Sequence, residues 1–456
     1  MDSSISKRSK PQDLDRLSEL PDSLIFNIFE FLPMNDVVST QILSHRWENL
    51  WTITPYLHFD KKSTNSDKFR NFVNRCLICW KGEKIQKFKV SSHTFNKSLF
   101  GDMGLWIRFA VENGVEELDT SFDLLGYDPY KDVYRVPKCL YSCPSLQKLS
   151  FLGETNGISG NVVQWNQLKS LKIKWFLITR DAIELLLSKC HVLEIFMLSF
   201  QDKDNNLSLN FRSTSLKKLL LSKGGKDNYF SDNISTNTEL RIWTPNLEIL
   251  SISGVTYGGC WLMDVPSLNH ATLSFSNSID RLRVTFRHTL WNLRHVKELT
   301  LSIFFLKSGA RLVLGFVATR NVAPLFKSVV FLSLDGFFED HENIVCLLEI
   351  FPKLKTLVIL EKYKLPDTKS EKNSKRNPSE SFLVELRRVE VTWNMCDFSL
   401  FPLIEILLKY ASKLEKMLFK VKRTVPPSEL LVTSQTKLLR MPRSSPNAEL
   451  IFCIYD

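Results

Sequence analysis

One pattern constrains this chain more than any other: apolar-x-x-apolar-x-apolar, recurring along most of its length. Clear copies are Leu146/Leu149/Phe151, Leu168/Leu171/Ile173, Leu193/Phe196/Leu198, Leu216/Leu219/Leu221 and Leu247/Leu250/Ile252. Further copies are Leu268/Ala271/Leu273, Val296/Leu299/Leu301, Val329/Leu332/Leu334 and Leu354/Leu357/Ile359. Weaker ones are Ile85/Phe88/Val90, Val115/Leu118/Thr120, Leu386/Val389/Val391 and Leu414/Met417/Phe419. Their first positions are 21 to 33 residues apart, about 27 on average. The last two apolar positions flank one polar residue, so that segment predicts a short strand with one buried face. One such strand cannot bury its face alone, whereas parallel stacking of neighbours builds a continuous core. Between strands, 181–188 and 342–351 carry apolar residues at helical spacing. The expected fold is therefore α/β, a curved solenoid of short parallel strands with partly helical returns.

That period and the leading Leu fit irregular leucine-rich repeats. A conventional α/β domain with scattered Leu-rich strands is the alternative, and so many copies of one pattern disfavour it. A length of 456 residues would otherwise suggest roughly three domains. The solenoid is expected over 80–363, with a polar, charged linker or loop at 364–381.

Residues 14–60 differ in kind. Pro21 is preorganised for a first helical turn, with Glu19 and Asp22 where negative charge suits the helix dipole. Leu24, Ile25, Ile28, Phe31 and Leu32 are expected on one apolar face, with Pro33 ending the helix. Asn35 or Asp36 is placed to cap a second helix carrying Val37, Val38, Ile42 and Leu43. A third, after Ser44, carries Trp47, Leu50 and Trp51. Three short helices with this many large apolar groups lie near the lower limit for independent folding. They either pack on the repeats or keep an apolar surface for a partner.

Residues 16–60 closely resemble the F-box of the plant F-box/leucine-rich-repeat family. The resemblance rests on Arg16-Leu17-Ser18-x-Leu20-Pro21-Asp22, Phe31-Leu32-Pro33, Leu43-Ser44-x-Arg46-Trp47-x-x-Leu50-Trp51 and Pro55-x-Leu57-x-Phe59-Asp60. It implies docking to a Skp-type adaptor, and through it to a cullin, in an SCF-type ubiquitin ligase resident in nucleus or cytoplasm. The family's adaptor contacts carry over to Leu20, Pro21, Leu24, Ile25, Ile28, Leu32, Val37, Val38, Leu43, Trp47 and Trp51. Asn35-Asp36 stands where the family usually has a basic residue, and Gln41 and His45 replace Ser and Lys. These positions read as polar and exposed. Residues 382–456 resemble the FBD region of the same family through Leu386-x-x-Val389-x-Val391, 401–411 and Leu414-x-x-Met417. Physically this is two more strand copies around one helix (Leu403, Ile406, Leu407, Tyr410).

Charge and motifs narrow the chemistry. Sixty basic residues against forty-nine acidic give +11, but the signs alternate and the basic start, 1–13, is short. Nucleic acid is therefore not the expected partner. No apolar run approaches the ~18 residues of a membrane span, and 1–12 lacks the apolar stretch of a secretory signal. Nine cysteines are thus expected as free thiols. Cys76-x-x-Cys79 and Cys139-x-x-x-Cys143 have metal-like spacing, yet Phe69, Phe72, Val73, Cys76 and Trp80 share a helical face, which favours a core cysteine. His341-Glu342 lacks a second His. Gly224-Gly225-Lys226 lacks the first Gly and the Ser/Thr of a phosphate loop, and Gly157-Ile158-Ser159-Gly160 is one residue short of a nucleophile elbow. No catalytic residue, metal ligand or cofactor site is expected. Two functions stay open: a substrate-recruiting ligase subunit whose repeats hold a target protein or small ligand, and a ligase-independent repeat scaffold. A cryptic enzyme is the weakest alternative.

Overall fold

A computed structural model of the chain describes residues 17, 19–61, 65–92, 97–122, 134–153, 163–175, 178–201, 206–224, 237–254, 257–275, 289–302, 326–336, 341–361, 382–393, 400–422 and 435–455. The segments 1–13 and 364–381, the Gly157–Gly160 motif and Gly225-Lys226 lie outside them. The chain divides into two compact units: Met1–Gly153 with Asn161–Leu168, and Glu154–Gly160 with Lys169–Asp456.

The first unit opens with three short helices, α1 (Asp22–Phe29), α2 (Met34–Ser39) and α3 (Trp47–Leu50). Pro21 and Pro33 stand directly before α1 and α2, where a missing N–H costs nothing and the fixed φ suits helix entry. Pro33 therefore opens the second helix, so Asn35 and Asp36 lie inside it instead of capping it. The first helix stops earlier than its proline: Phe31 N–H donates to Ile28 and Leu32 N–H to Phe29 at 3.1 Å, tightening the last turn. An ion pair of 2.5 Å between Asp22 and Arg46 joins α1 to α3, and Phe29 meets Trp47 edge-on at 5.8 Å.

Strands and helices then alternate as β1 (Tyr56–Lys61), α4 (Ser66–Cys79), β2 (Lys87–Ser92), α5 (Phe100–Glu112), β3 (Glu117–Phe122) and β4 (Lys148–Gly153). The four strands are parallel neighbours in chain order. Their register aligns Leu57, Phe88, Leu118 and Leu149, the same position of successive repeats. The repeat sheet thus begins at Tyr56, inside the segment expected to be purely F-box and well before residue 80. Thr54 takes the leading position of this first copy; it is fully buried and its carbonyl accepts the Trp80 indole N–H at 2.8 Å. Asn65 caps α4 by accepting the Lys68 N–H at 2.9 Å. Phe69, Val73, Cys76 and Leu77 of α4 and Met103, Trp106, Ile107 and Ala110 of α5 face inward. Trp106, buried, donates its indole N–H to Asn74 at 2.7 Å, the polar outlet a buried Trp needs.

In the second unit the main sheet runs through β5 (Ser170–Trp175) and β6 (Ile195–Gln201), while β7 (Ser208–Arg212) leaves it. It resumes at β8 (Lys218–Gly224); β9 (Glu239–Trp243) and β11 (Gly259–Met263) join β7, and β10 (Ile249–Gly254) and β12 (His270–Phe275) stay in the main sheet. After them come β13 (Glu298–Ser302), β14 (Phe331–Gly336), β15 (Thr356–Glu361), β16 (Arg388–Trp393), β17 (Lys416–Lys422) and β18 (Glu449–Tyr455). Helices α6 (Arg180–Lys189), α7 (His341–Leu348) and α8 (Phe401–Tyr410) occupy the returns, α6 and α7 where the apolar spacing predicts them. Every copy of the sequence pattern carries a strand, and within this unit neighbouring strands of the main sheet pair in parallel.

Eight of the repeats, led by Leu168, Leu193, Leu247, Leu268, Val296, Leu354, Leu386 and Leu414, enter their strands by the same turn. The amide of the leading residue bonds the carbonyl three residues earlier at 3.1 to 3.3 Å, as in Leu193 to Cys190, Leu247 to Thr244, Val296 to Leu293 and Leu414 to Ala411. The residue that supplies that carbonyl is itself buried in all four. One carbonyl then accepts two amides of the next repeat: Glu194 O from Lys217 and Lys218, Lys217 O from Glu248 and Ile249, Glu248 O from Asn269 and His270. The polar residue after each leading position is thus placed by its backbone. Residues 382–456 continue the same sheet, with one more strand than expected: β18 follows β17 in register, and Phe452 stacks on Phe419 at 4.9 Å.

The second sheet has three strands in the order β11-β9-β7, all parallel. Leu209, Phe211, Leu240, Ile242, Cys260 and Leu262 form its buried face, and Phe211 lies 6.2 Å from Phe196 of the main sheet.

Candidate functional site

The expected adaptor residues separate by burial. Ile25 and Val37 are 0% exposed and Trp47 2%, so these three belong to the internal core and offer no surface to a partner. Leu24, Ile28 and Leu43 are 47%, 39% and 51% exposed, and Pro21 is exposed as well. Leu20, Leu32, Val38 and Trp51 are half-buried. The single apolar face expected for α1 is therefore two faces. Ile25 and Phe29, four residues apart, point inward; Leu24 and Ile28, with the same spacing, point outward. Phe31 and Ile42, absent from the expected contacts, are 81% and 84% exposed. Asn35, Gln41 and His45 are exposed, as their polarity predicts.

A cluster of large apolar side chains held open to solvent is a candidate interaction surface. The surrounding charges leave that face undisturbed: Glu30 turns to Lys87 of β2 at 3.3 Å, and Asp22 is held by Arg46.

Burial lowers the pKa of His58 on β1, and the positive charge of Lys89 adds to it. Among the described residues no group of three His, Cys, Asp or Glu is placed to hold a metal ion. The described cysteines are free thiols. Burial pushes Cys76, Cys190 and Cys260 up to about 12, whereas Cys79 and Cys453 are exposed. Iodoacetamide at pH 8 should therefore label Cys79 and Cys453 in the folded protein, and Cys76, Cys190 and Cys260 only after denaturation, as read by mass spectrometry. The sign for stability follows. An unfolded thiol ionises near pH ~8.5, so each buried thiol stabilises the fold fully below that pH and loses its contribution as pH climbs towards about 12.

Comparison with known proteins agrees with this geometry. Residues 17–58 match the family model of the F-box domain. Residues 103–235 match that of "FBD-associated F-box protein At5g56370, LRR repeats". The chain carries an F-box and FBD-associated leucine-rich repeats. It is 26% identical over 452 residues to F-box/FBD/LRR-repeat protein At5g56420 of Arabidopsis thaliana, covering 96% of this chain and 99% of that protein. FBD-associated F-box protein At5g56370 of Arabidopsis thaliana is 29% identical over 296 residues, 64% of each chain. F-box/LRR-repeat protein 13 of the same plant is 26% identical over 464 residues, 97% of this chain and 98% of that one. The matched F-box ends at residue 58, so its last residues are also the start of strand β1. F-box and repeats together support a role of the F-box adaptor type. No helix among the described residues is long and apolar enough to cross a membrane.

Proposed function

We propose that this protein is the substrate-recognition subunit of an SCF-type cullin–RING ubiquitin ligase, acting in nucleus or cytoplasm. The F-box over 14–60 docks a Skp-type adaptor through Leu20, Pro21, Leu24, Ile28, Leu32, Val38, Leu43 and Trp51. The repeats and the FBD-like region, 382–456, hold a target protein. The observation that carries the reading is the outward pair Leu24 and Ile28 on a helix whose other face, Ile25 and Phe29, is fully buried. On this reading the chain is not an enzyme: bond-making belongs to the rest of the ligase, and this subunit supplies proximity.

Co-expression with a plant Skp-type adaptor, followed by size-exclusion chromatography of the full chain, tests it. A one-to-one complex that survives dilution to micromolar concentration is the expected result. Separate elution of the two proteins at that concentration would sink the ligase reading. The exposed polar residues Asn35, Gln41 and His45 would then favour the repeat scaffold.

A further inference from the structure

The second sheet has an outer face that the adaptor reading leaves unused. Registry across β7, β9 and β11 places Arg212, Trp243 and Met263 in one row, and Asn210 and Arg241 in the row beside it. With Phe211 beneath, these residues line a groove of about 410 Å³, within the size range of ligand sites.

Three features specify its chemistry. The Arg212 guanidinium lies over the Trp243 ring at 4.8 Å, which sets beside the aromatic face a planar fork suited to a carboxylate or phosphate. Among the described residues Arg212 has no carboxylate partner. Among the described residues Arg241 pairs only with Glu239, two residues along its own strand, at 3.1 Å with both groups roughly half exposed; such a surface pair is weak and readily exchanged. The amide of Asn210 donates its Nδ2 to Glu184 at 2.6 Å, which fixes its orientation. Its Oδ1 is buried, with no hydrogen-bond partner among the described residues.

We infer that this groove binds an acidic peptide segment of a partner protein. A carboxylate or phosphate is clamped by Arg212 and Arg241, and an adjoining aromatic or aliphatic side chain lies on Trp243 and Met263. The chain's net charge of +11 favours such a partner at long range. A nucleic acid fits less well: it needs a track of cations along successive phosphates, and this groove has two, with Glu239 beside them. The inference extends the reading that the repeats hold a target, and does not require adaptor docking.

The test uses the full chain and three fluorescein-labelled peptides differing at one central pair of residues: Glu-Glu, phosphoserine-Glu and Gln-Gln, each flanked by Phe. Fluorescence anisotropy at ~50 mM salt, where charge contacts are less screened than at physiological ionic strength, is expected to show one or both anionic peptides binding at least ~tenfold tighter than Gln-Gln. Preference for phosphoserine over Glu identifies a phosphate source, and equality identifies a carboxylate one. Arg212→Ala should remove most of that difference, and Arg212→Lys should restore only part of it, because Lys lacks the planar fork. Arg241→Gln serves as a second variant should Arg212→Ala unfold. Equal affinity for all three peptides, no binding, indifference of the folded variants, or tighter binding of a single-stranded oligonucleotide would each overturn the proposal. Because no adaptor is present, these outcomes are independent of the ligase test.

Discussion

Replacing Leu24 and Ile28 together with alanine is expected to weaken binding to a Skp-type adaptor at least ~100-fold, about 2.7 kcal/mol. Both side chains stand on the outward side of α1, 47% and 39% exposed, so truncation removes apolar area that only a partner covers. Anchors at the centre of an interface typically cost ~2 kcal/mol or more each. The fold should barely change, and thermal melting should stay within a few degrees of wild type. Ile25→Ala makes the contrast. Ile25 is 0% exposed, so its truncation should cost ~2–5 kcal/mol of folding stability and affect adaptor binding only through unfolding. Gln41→Ala, at an exposed polar position, should bind within about twofold of wild type. Calorimetry with purified adaptor decides the matter: a double variant that binds like wild type would mean the outward face of α1 is not the docking surface.

Gly254→Ala should have a comparably large effect, on stability alone. Gly254 ends β10 with φ of 102°, a region L-residues avoid. A Cβ there would fall 1.9 Å from the Lys223 carbonyl oxygen on the paired strand β8. The obstacle is backbone, which cannot swing aside as a side chain can. Strained φ costs ~1–3 kcal/mol and overpacking a similar amount, so a loss of about 2–6 kcal/mol is expected. Gly101→Ala should have the opposite sign. Its Cβ would meet nothing within 4 Å, and it lies on α5, where Ala is favoured over Gly by up to ~1 kcal/mol. Urea unfolding of both variants measures the difference. A Gly254→Ala midpoint equal to wild type would show that the two strands do not approach this closely.

The repeat strands were legible because their chemistry is periodic. A strand with one buried face must alternate, and parallel stacking brings the same position of each copy into register. Thr54 hid the first strand, since a threonine at the leading position breaks the apolar pattern even though it is fully buried. The last strand was hidden for a related reason: Ala448, Leu450 and Phe452 have no apolar leader three residues before Leu450. The second sheet was not anticipated. Pairs such as Leu209/Phe211 and Leu240/Ile242 alternate like any short strand, and nothing local says which sheet they join. The turn before most of the strands left a readable trace that the six-residue pattern omitted, a further buried residue three positions ahead of the leader, such as Cys190, Val265 or Phe351.

The chain's own sequence determined that it would stack parallel strands and begin with short helices resembling an F-box, because spacing alone dictates which residues share a face. Only the tertiary structure decided which face of α1 is covered. Five large apolar residues between Leu24 and Leu32 satisfy helical spacing on two sides at once. Exposure is a property of what packs over a group: Ile25 and Phe29 are both fully buried, and Phe29 has the Trp47 ring edge-on against it. The same holds for the outer groove. Arg212, Arg241 and Trp243 are ordinary residues along the chain, and they converge only because β7 and β9, about thirty residues apart in sequence, pair in register.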